Sequence, residues 1–289
     1  MTPKKFAYFA PASLKEAIQL LRENEDAKVL AGGQSLIALM KLRLAAPAAL
    51  VDITKTGDLL SYIREGKNDN LEVGALTTHD TLERSKIINK KFPILSDAAS
   101  KIGDQQIRNR GTIGGSCCHA DPAADLPTAL TALEPEFAVR GVKGKRVIPQ
   151  SEFFVDTFTT SIAKDEILTE IRIPHTPPKS GSAYIKHSRR EGDFAIVGVG
   201  AVVTVGPKGV CRDVRVSLGA VAPTPIRAKS AEKHLKGKTL DEGNIAEAAE
   251  RANEEADPPS DMHGSRQYRL DMIRVFARRA LNLALSRAR

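Results

Sequence analysis

Residues Gly111 to Glu134 read GTIGGSCCHADPAADLPTALTALE, and much of the chain can be understood from them. The stretch opens on a glycine-rich turn, Gly111-Thr112-Ile113-Gly114-Gly115-Ser116, and closes in an alanine- and leucine-rich segment, Ala123 to Leu133, whose composition predicts a helix. Between them Asp121-Pro122 supplies an N-cap residue followed by proline at the first helical position. Two adjacent glycines let a backbone approach a ligand with no Cβ in the way, and successive N–H groups in such a turn point at an anion. A second glycine pair lies upstream in Ala31-Gly32-Gly33-Gln34-Ser35, directly after the strand-like Lys28-Val29-Leu30. Two short glycine turns, far apart in sequence and each carrying a serine, suggest one diphosphate held between two loops. Neither turn fits GxGxxG or GxxxxGKS/T spacing, and a glycine pair by itself is only a tight turn.

The 289-residue chain is long enough for two domains with cores of their own. Apolar residues make up 42% and charged residues 27%, an ordinary globular composition. No apolar run approaches the roughly 20 residues of a membrane span. The longest, Phe194 to Val205, is broken by Gly198 and Gly200 and reads as a buried strand. The first residues, MTPKKFAYFAPAS, lack the apolar core of a secretory signal, so a soluble, cytoplasmic protein is expected. A net charge of +8 raises nucleic acid as a partner, but the basic residues are spread among 35 acidic ones without a recognition motif. No nucleic-acid partner is expected. Three cysteines, two of them adjacent, make no disulfide framework and too few ligands for an iron–sulfur cluster.

Taken in order, Ser13 with Glu16 has a capping-box pattern, opening a helix whose apolar face is Leu14, Ala17, Ile18 and Leu21. Strands are expected over Lys28–Leu30, Ala49–Ile53, Leu59–Arg64, Asn70–Leu76 and Glu166–Pro174, with a hairpin of Glu136–Arg140 and Arg146–Pro149. Thr78 caps a short helix through Ser85, and Phe92 to Ile102 forms another. His175 to Gly181, HTPPKSG, reads as a linker. Beyond it come strands Ser182–Arg189, Ala195–Val205 and Val210–Ala220, then helices over Ser230–Leu235, Gly243–Ala256 and Ser265–Ser286. In the last, Ile273, Phe276, Ala277, Ala280, Leu281 and Ala284 form the stripe that should be buried. The class is α+β.

The two glycine turns with their neighbourhoods, AGGQSLIALMKLR from Ala31 to Arg43 and RNRGTIGGS from Arg108 to Ser116, resemble the two FAD-binding signatures of one family. That family is the flavin-carrying medium subunit of molybdenum hydroxylases, as in carbon monoxide dehydrogenase, quinoline oxidoreductase and xanthine dehydrogenase. Glu166–Pro174, Tyr184–Val197 and Ser260–Leu281 extend the resemblance over nearly the whole chain. It implies an FAD-binding domain of the PCMH/VAO type over residues 1–175, made of two α+β subdomains near 1–56 and 57–175. A C-terminal domain over 176–289, with a three-stranded antiparallel sheet and a helix bundle, would follow.

On that resemblance Val29, Leu30, Ala31, Gly32, Gly33, Gln34, Ser35 and Leu36 wrap an extended FAD from one side. Thr112, Ile113, Gly114, Gly115 and Ser116 contact it from the other. Asp125 matches a carboxylate at the adenosine end and Lys186 a cation at the flavin side; Ile102 and Leu168 match apolar contacts that could equally be core. Phe194 would cover one face of the ring, or be a buried sheet aromatic. Gln34 departs from the histidine that carbon monoxide dehydrogenase relatives tend to carry, which sets that substrate in doubt. Cys117-Cys118-His119 lacks metal-ligand spacing, so neither a metal site nor a catalytic residue is expected in this chain.

The resemblance implies partners: a small subunit with two two-iron–two-sulfur clusters and a large molybdopterin subunit, assembled as a dimer of heterotrimers. The chain would pass electrons from the clusters through FAD to an external acceptor. Two alternatives stay open from the residues alone: a self-sufficient FAD-dependent oxidoreductase on the same fold, and a basic nucleic-acid-binding protein.

Overall fold

The structure, a computed structural model, describes residues 2–56 and 60–288. It contains three principal sheets, and helices fill the spaces between them. The first sheet is parallel: β1 (Ala7–Phe9), β2 (Ala27–Leu30) and β3 (Ala49–Asp52) lie in the order β1-β3-β2. Helix Leu14–Glu23 connects β1 to β2 and buries Ala17, Ile18 and Leu21 against that sheet. Ser13 Oγ accepts from the Glu16 N–H at 3.2 Å, while the Glu16 carboxylate takes the Ala12 N–H at 3.0 Å, so the expected capping box closes one residue early.

A five-stranded antiparallel sheet follows, in the order β4-β5-β10-β6-β7. Its strands are β4 (Ile63–Glu65), β5 (Leu71–Gly74), β6 (Glu136–Gly141), β7 (Gly144–Pro149) and, after the small hairpin β8 (Phe154–Asp156) and β9 (Thr159–Thr160), β10 (Ile167–Ile173). The expected strand from Leu59 begins at Ile63; Leu59 itself lies outside the described residues. The third sheet is β11 (Ser180–His187), β12 (Val197–Val205), β13 (Cys211–Gly219) and the two-residue β14 (Ile226–Arg227). Three antiparallel strands were expected there, and β14 adds a fourth.

Helices Pro93–Ser100 and Asp125–Leu133 sit between the second and third sheets, in one core with Val73, Phe137 and Ile171 on one side and Tyr184 and Val202 on the other. Every residue of Asp125–Leu133 is buried; Thr128 and Thr131 donate their hydroxyls to the Ala124 and Pro127 carbonyls, and Asp125 accepts from Lys186. Strand β12 has to serve two layers. Gly198, Gly200 and Val202 alternate with Val197, Val199, Ala201 and Val203, and the latter set packs in a separate core with helix Arg266–Arg287. A Cβ on Gly200 would come within 3.5 Å of Ile94 and Ala132 side chains, so glycine there brings the sheet close to both buried helices. The stripe expected on the last helix, from Ile273 to Ala284, is buried as the spacing implies.

Two further elements differ from the sequence reading. The glycine turn is itself a short helix, Ile113–His119, capped by Thr112, whose Oγ1 accepts from the Gly115 N–H at 3.0 Å. The helix expected from Asp121-Pro122 starts later, at Asp125, and Asp121 instead accepts the Ala123 N–H at 2.9 Å in a turn.

Behind the capped helix lies His79, buried, with its backbone N–H donating to Gly111 O at 3.0 Å and its ring filling the space beside the Gly111 Cα. Its Nδ1 has no hydrogen-bond partner among the described residues. Burial, aided by the Arg108 charge, lowers its pKa to about 4. The unfolded state therefore takes up a proton near pH 6.5 that the folded state refuses, and stability falls as pH drops below that value. Between pH 7 and pH 5 the wild type should lose about 2 kcal/mol from this group. Urea unfolding at the two pH values should show that loss shrinking in His79→Phe; an equal loss in both proteins would show that His79 is not its source.

Candidate cofactor-binding site

Strand β2 delivers the chain into Ala31-Gly32-Gly33, and Gly33 turns it with φ +73° into helix Leu36–Lys41. This first turn lies directly on the second glycine segment. A Cβ on Gly32 would stand 2.1 Å from the Arg110 carbonyl oxygen and 2.8 Å from the Gly111 Cα, so only glycine permits the two backbones to touch. At Gly115 the situation is opposite. A Cβ there meets only the Thr112 hydroxyl, at 2.8 Å, and the Ala31 methyl at 3.9 Å, which leaves a gap between the two turns.

The turns contribute different chemistry. The N–H groups of Ile113, Gly114, Gly115 and Ser116 are all taken, by Thr77 O, Ala75 O, Thr112 Oγ1 and Thr112 O. The expectation that the second turn aims successive donors at a phosphate is therefore corrected: its glycines serve close packing and room, Gly114 lying against Ala75. In the first turn Gln34, Ser35 and Leu36 N–H groups have no protein acceptor among the described residues. Free donors at the start of a helix on one wall and an open glycine on the other suit the diphosphate of an FAD. Val29 and Leu30 belong to β2 and stand behind the turn, packing into the small cores around the first sheet.

Asp125 and Lys186, expected at two ends of the cofactor, meet. Lys186 Nζ donates to Asp125 Oδ2 at 2.9 Å, to Lys101 O at 2.7 Å and to Asp193 O at 2.8 Å, using all three of its protons. The Tyr184 hydroxyl donates to the other Asp125 oxygen at 2.7 Å. The Lys186 side chain is only 2% exposed, so it is neither a solvated strand lysine nor a free donor for a ligand. Assignment of the two residues to opposite ends of FAD gives way to one buried, mutually neutralising pair. Burial pushes the Asp125 carboxyl up, against the pull of Lys186 and of the Tyr184 hydroxyl. Tyr184 escaped the sequence reading, although its two-residue offset from Lys186 on β11 places both on one face.

Leu168 is buried in the main core beside a bulge in β10, and Ile102 packs partly buried against the same core. Phe194 is 63% exposed, outside any strand, so the buried-aromatic alternative does not hold. It lines a cleft of about 920 Å³ with Asp121, Pro122, Pro223, Pro258 and Arg266. The cleft shares Asp193 with the Lys186 cluster, whose ammonium bonds that residue's carbonyl. Cys117 is buried in the core, Cys118 is exposed, and His119 rests against Phe158 with ring centroids 5.0 Å apart, so the three side chains diverge. No group of three potential metal ligands comes together among the described residues.

Residues 4–176 match the family described as FAD binding domain in molybdopterin dehydrogenase, and residues 182–284 the CO dehydrogenase flavoprotein C-terminal domain. The chain is 42% identical over 290 residues to the 6-hydroxypseudooxynicotine dehydrogenase complex subunit alpha of Paenarthrobacter nicotinovorans, covering 100% of this chain and 97% of that one. It is 38% identical over 288 residues to the carbon monoxide dehydrogenase medium chain of Hydrogenophaga pseudoflava, covering 99% of each. It matches the solved structure of the Hydrogenophaga pseudoflava carbon monoxide dehydrogenase lacking its Mo-pyranopterin moiety with a TM-score of 0.96, at 39% identity and full coverage of both chains. No helix among the described residues is long and apolar enough to cross a membrane.

The contrast between the glycines is testable. Gly115→Val should fold, losing about 1 kcal/mol through disturbance of the Thr112 cap, yet retain little FAD. Gly32→Ala should cost about 3 kcal/mol, because the obstructing atoms are backbone. Thermal unfolding with flavin absorbance read on the same samples separates the two; normal flavin content in Gly115→Val would remove the gap from the site. For the buried pair, Lys186→Met should destabilise by about 3–5 kcal/mol by stranding Asp125. Adding Asp125→Asn should recover part of that loss in a urea double-mutant cycle, whereas strictly additive effects would deny the coupling.

Proposed function

This chain belongs to the FAD-binding medium subunits of the molybdenum hydroxylases, and from that premise we propose that it relays electrons from a small iron–sulfur subunit to an external acceptor. FAD, when bound, would supply the redox chemistry, linking one-electron carriers to a two-electron acceptor. The chain's own residues bind and orient it. The observation that carries the reading is the pair of touching turns, the first with N–H groups at Gln34, Ser35 and Leu36 that have no acceptor among the described residues, the second with little but Thr112 and Ala31 beside Gly115. With three cysteines in the whole sequence, the chain has too few thiolates for a cluster of its own, which supports the delivery of electrons by a partner that carries one.

In this proposal residues 1–175 hold the cofactor and residues 176–289 close over it, the Asp125–Lys186 pair joining the two. Ala31 to Leu36, with Thr112, Gly115 and Ser116, hold the diphosphate region, while Ile102 and Phe194 stand where a ring would be covered. The partners are a small subunit with two two-iron–two-sulfur clusters and a large molybdopterin subunit, in a cytoplasmic dimer of heterotrimers. The substrate is then selected in the large subunit.

Co-expression with the neighbouring subunits, followed by affinity capture of this chain, tests the proposal. The captured complex should contain both partners and release one FAD per medium chain on denaturation. Release of FMN, or full dehydrogenase activity from this polypeptide alone, would refute it.

A further inference from the structure

Helix Leu36–Lys41 buries Met40 and leaves an apolar edge facing outward that the fold does not cover. Ile37 is 38% exposed, and beyond the helix Leu42 is 55% and Leu44 is 74% exposed. These leucines do not sit on a slack loop. Leu42 N–H donates to Ala38 O at 3.0 Å, Arg43 N–H to Met40 O at 3.0 Å, and Leu44 N–H to Leu39 O at 2.9 Å. The cap forces Arg43 to φ +60°, a left-handed conformation that glycine usually supplies and that a side chain adopts only at a cost. The backbone is thus held, at some strain, in a knuckle that presents two leucines to the outside. Lys41 and Arg43 flank them and form no ion pair among the described residues.

We propose that this knuckle, Ile37 to Leu44, is the surface on which the iron–sulfur-carrying small subunit docks, through an apolar patch rimmed by carboxylates. Apolar residues ringed by unpaired cations match a partner surface with an apolar centre and carboxylates at its rim. The position selects the electron-carrying partner. Ile37 Cδ1 stands 2.7 Å from where a Cβ on Gly33 would be, so the knuckle is built on the first cofactor turn itself. A subunit seated there lies against the wall of the cofactor site, where a donor must be because electron transfer falls steeply with distance. The inference rests on the electron-relay reading and adds to it the place of contact.

The test uses the co-expressed complex, with this chain tagged. Leu42→Asp with Leu44→Asp should reduce recovery of the small subunit at least tenfold while flavin content stays at the wild-type level. Lys41→Glu with Arg43→Glu, which leaves the leucines in place, should also weaken capture and abolish its sensitivity to salt; it decides the matter if the first variant loses its flavin. Should the wild-type chain bring down no iron–sulfur subunit, the electron-relay reading fails along with this one. Should the wild type and both variants capture it equally, only the docking surface is overturned. Loss of the large subunit alone, or of self-association alone, with the small subunit retained, would likewise overturn it.

Discussion

Everything at the candidate site depends on one backbone contact, Gly32 lying against the Arg110 carbonyl and the Gly111 Cα. The contact joins a turn at the end of a parallel sheet to the start of a capped helix that belongs to a different sheet. Neither segment is a ligand site alone. The first has donors without a partner among the described residues but only one wall, and the second has its N–H groups from Ile113 to Ser116 already taken. Held together without any side chain between them, they become two walls of one gap. The surroundings serve that register: Gly114 seats the helix on Ala75, His79 fills the space beside Gly111, and Thr112 ties the helix start to Gly115.

The Asp125–Lys186 pair makes a second junction, of different character. Two buried charges cancel each other, and the Lys186 ammonium also bonds carbonyls from Lys101 and Asp193. Four segments therefore meet at one nitrogen. A pair of this kind contributes little net stability compared with apolar packing, but it tolerates few alternative arrangements, because any displacement strands a charge. It fixes where β11 lies relative to helix Asp125–Leu133, and it holds the Asp193 carbonyl, one residue before Phe194, on the same ammonium.

Much of this was legible in the sequence. The apolar run from Phe194 to Val205 and the apolar stripe from Ile273 to Ala284 announced their elements, and the glycine turns announced a close approach. The helix Ile113–His119 was not legible, because Gly114 and Gly115 each disfavour a helix by about 1 kcal/mol and local composition says turn. The helix forms because Ala75 O and the Thr112 hydroxyl, one of them distant in sequence, take those two N–H groups. Asp125 and Lys186 are 61 residues apart, and no local pattern shows that each is the other's partner. The resemblance gave both residues importance but separated them; only the packing of β11 on the buried helix shows that they share one place.

The link between Asp97 and Arg287 has a consequence for how the protein is made. Asp97 accepts the Tyr184 N–H across 87 residues and the Arg287 guanidinium, at 2.6 Å, across 190. During synthesis helix Pro93–Ser100 is therefore finished long before the strand and the helix that cover it. Ile94 and Leu95, buried in the native core, have no third sheet to pack against until that sheet emerges. For that interval the nascent chain carries a sticky apolar face, the kind of surface that chaperones bind and that traps misfolded states when translation stalls.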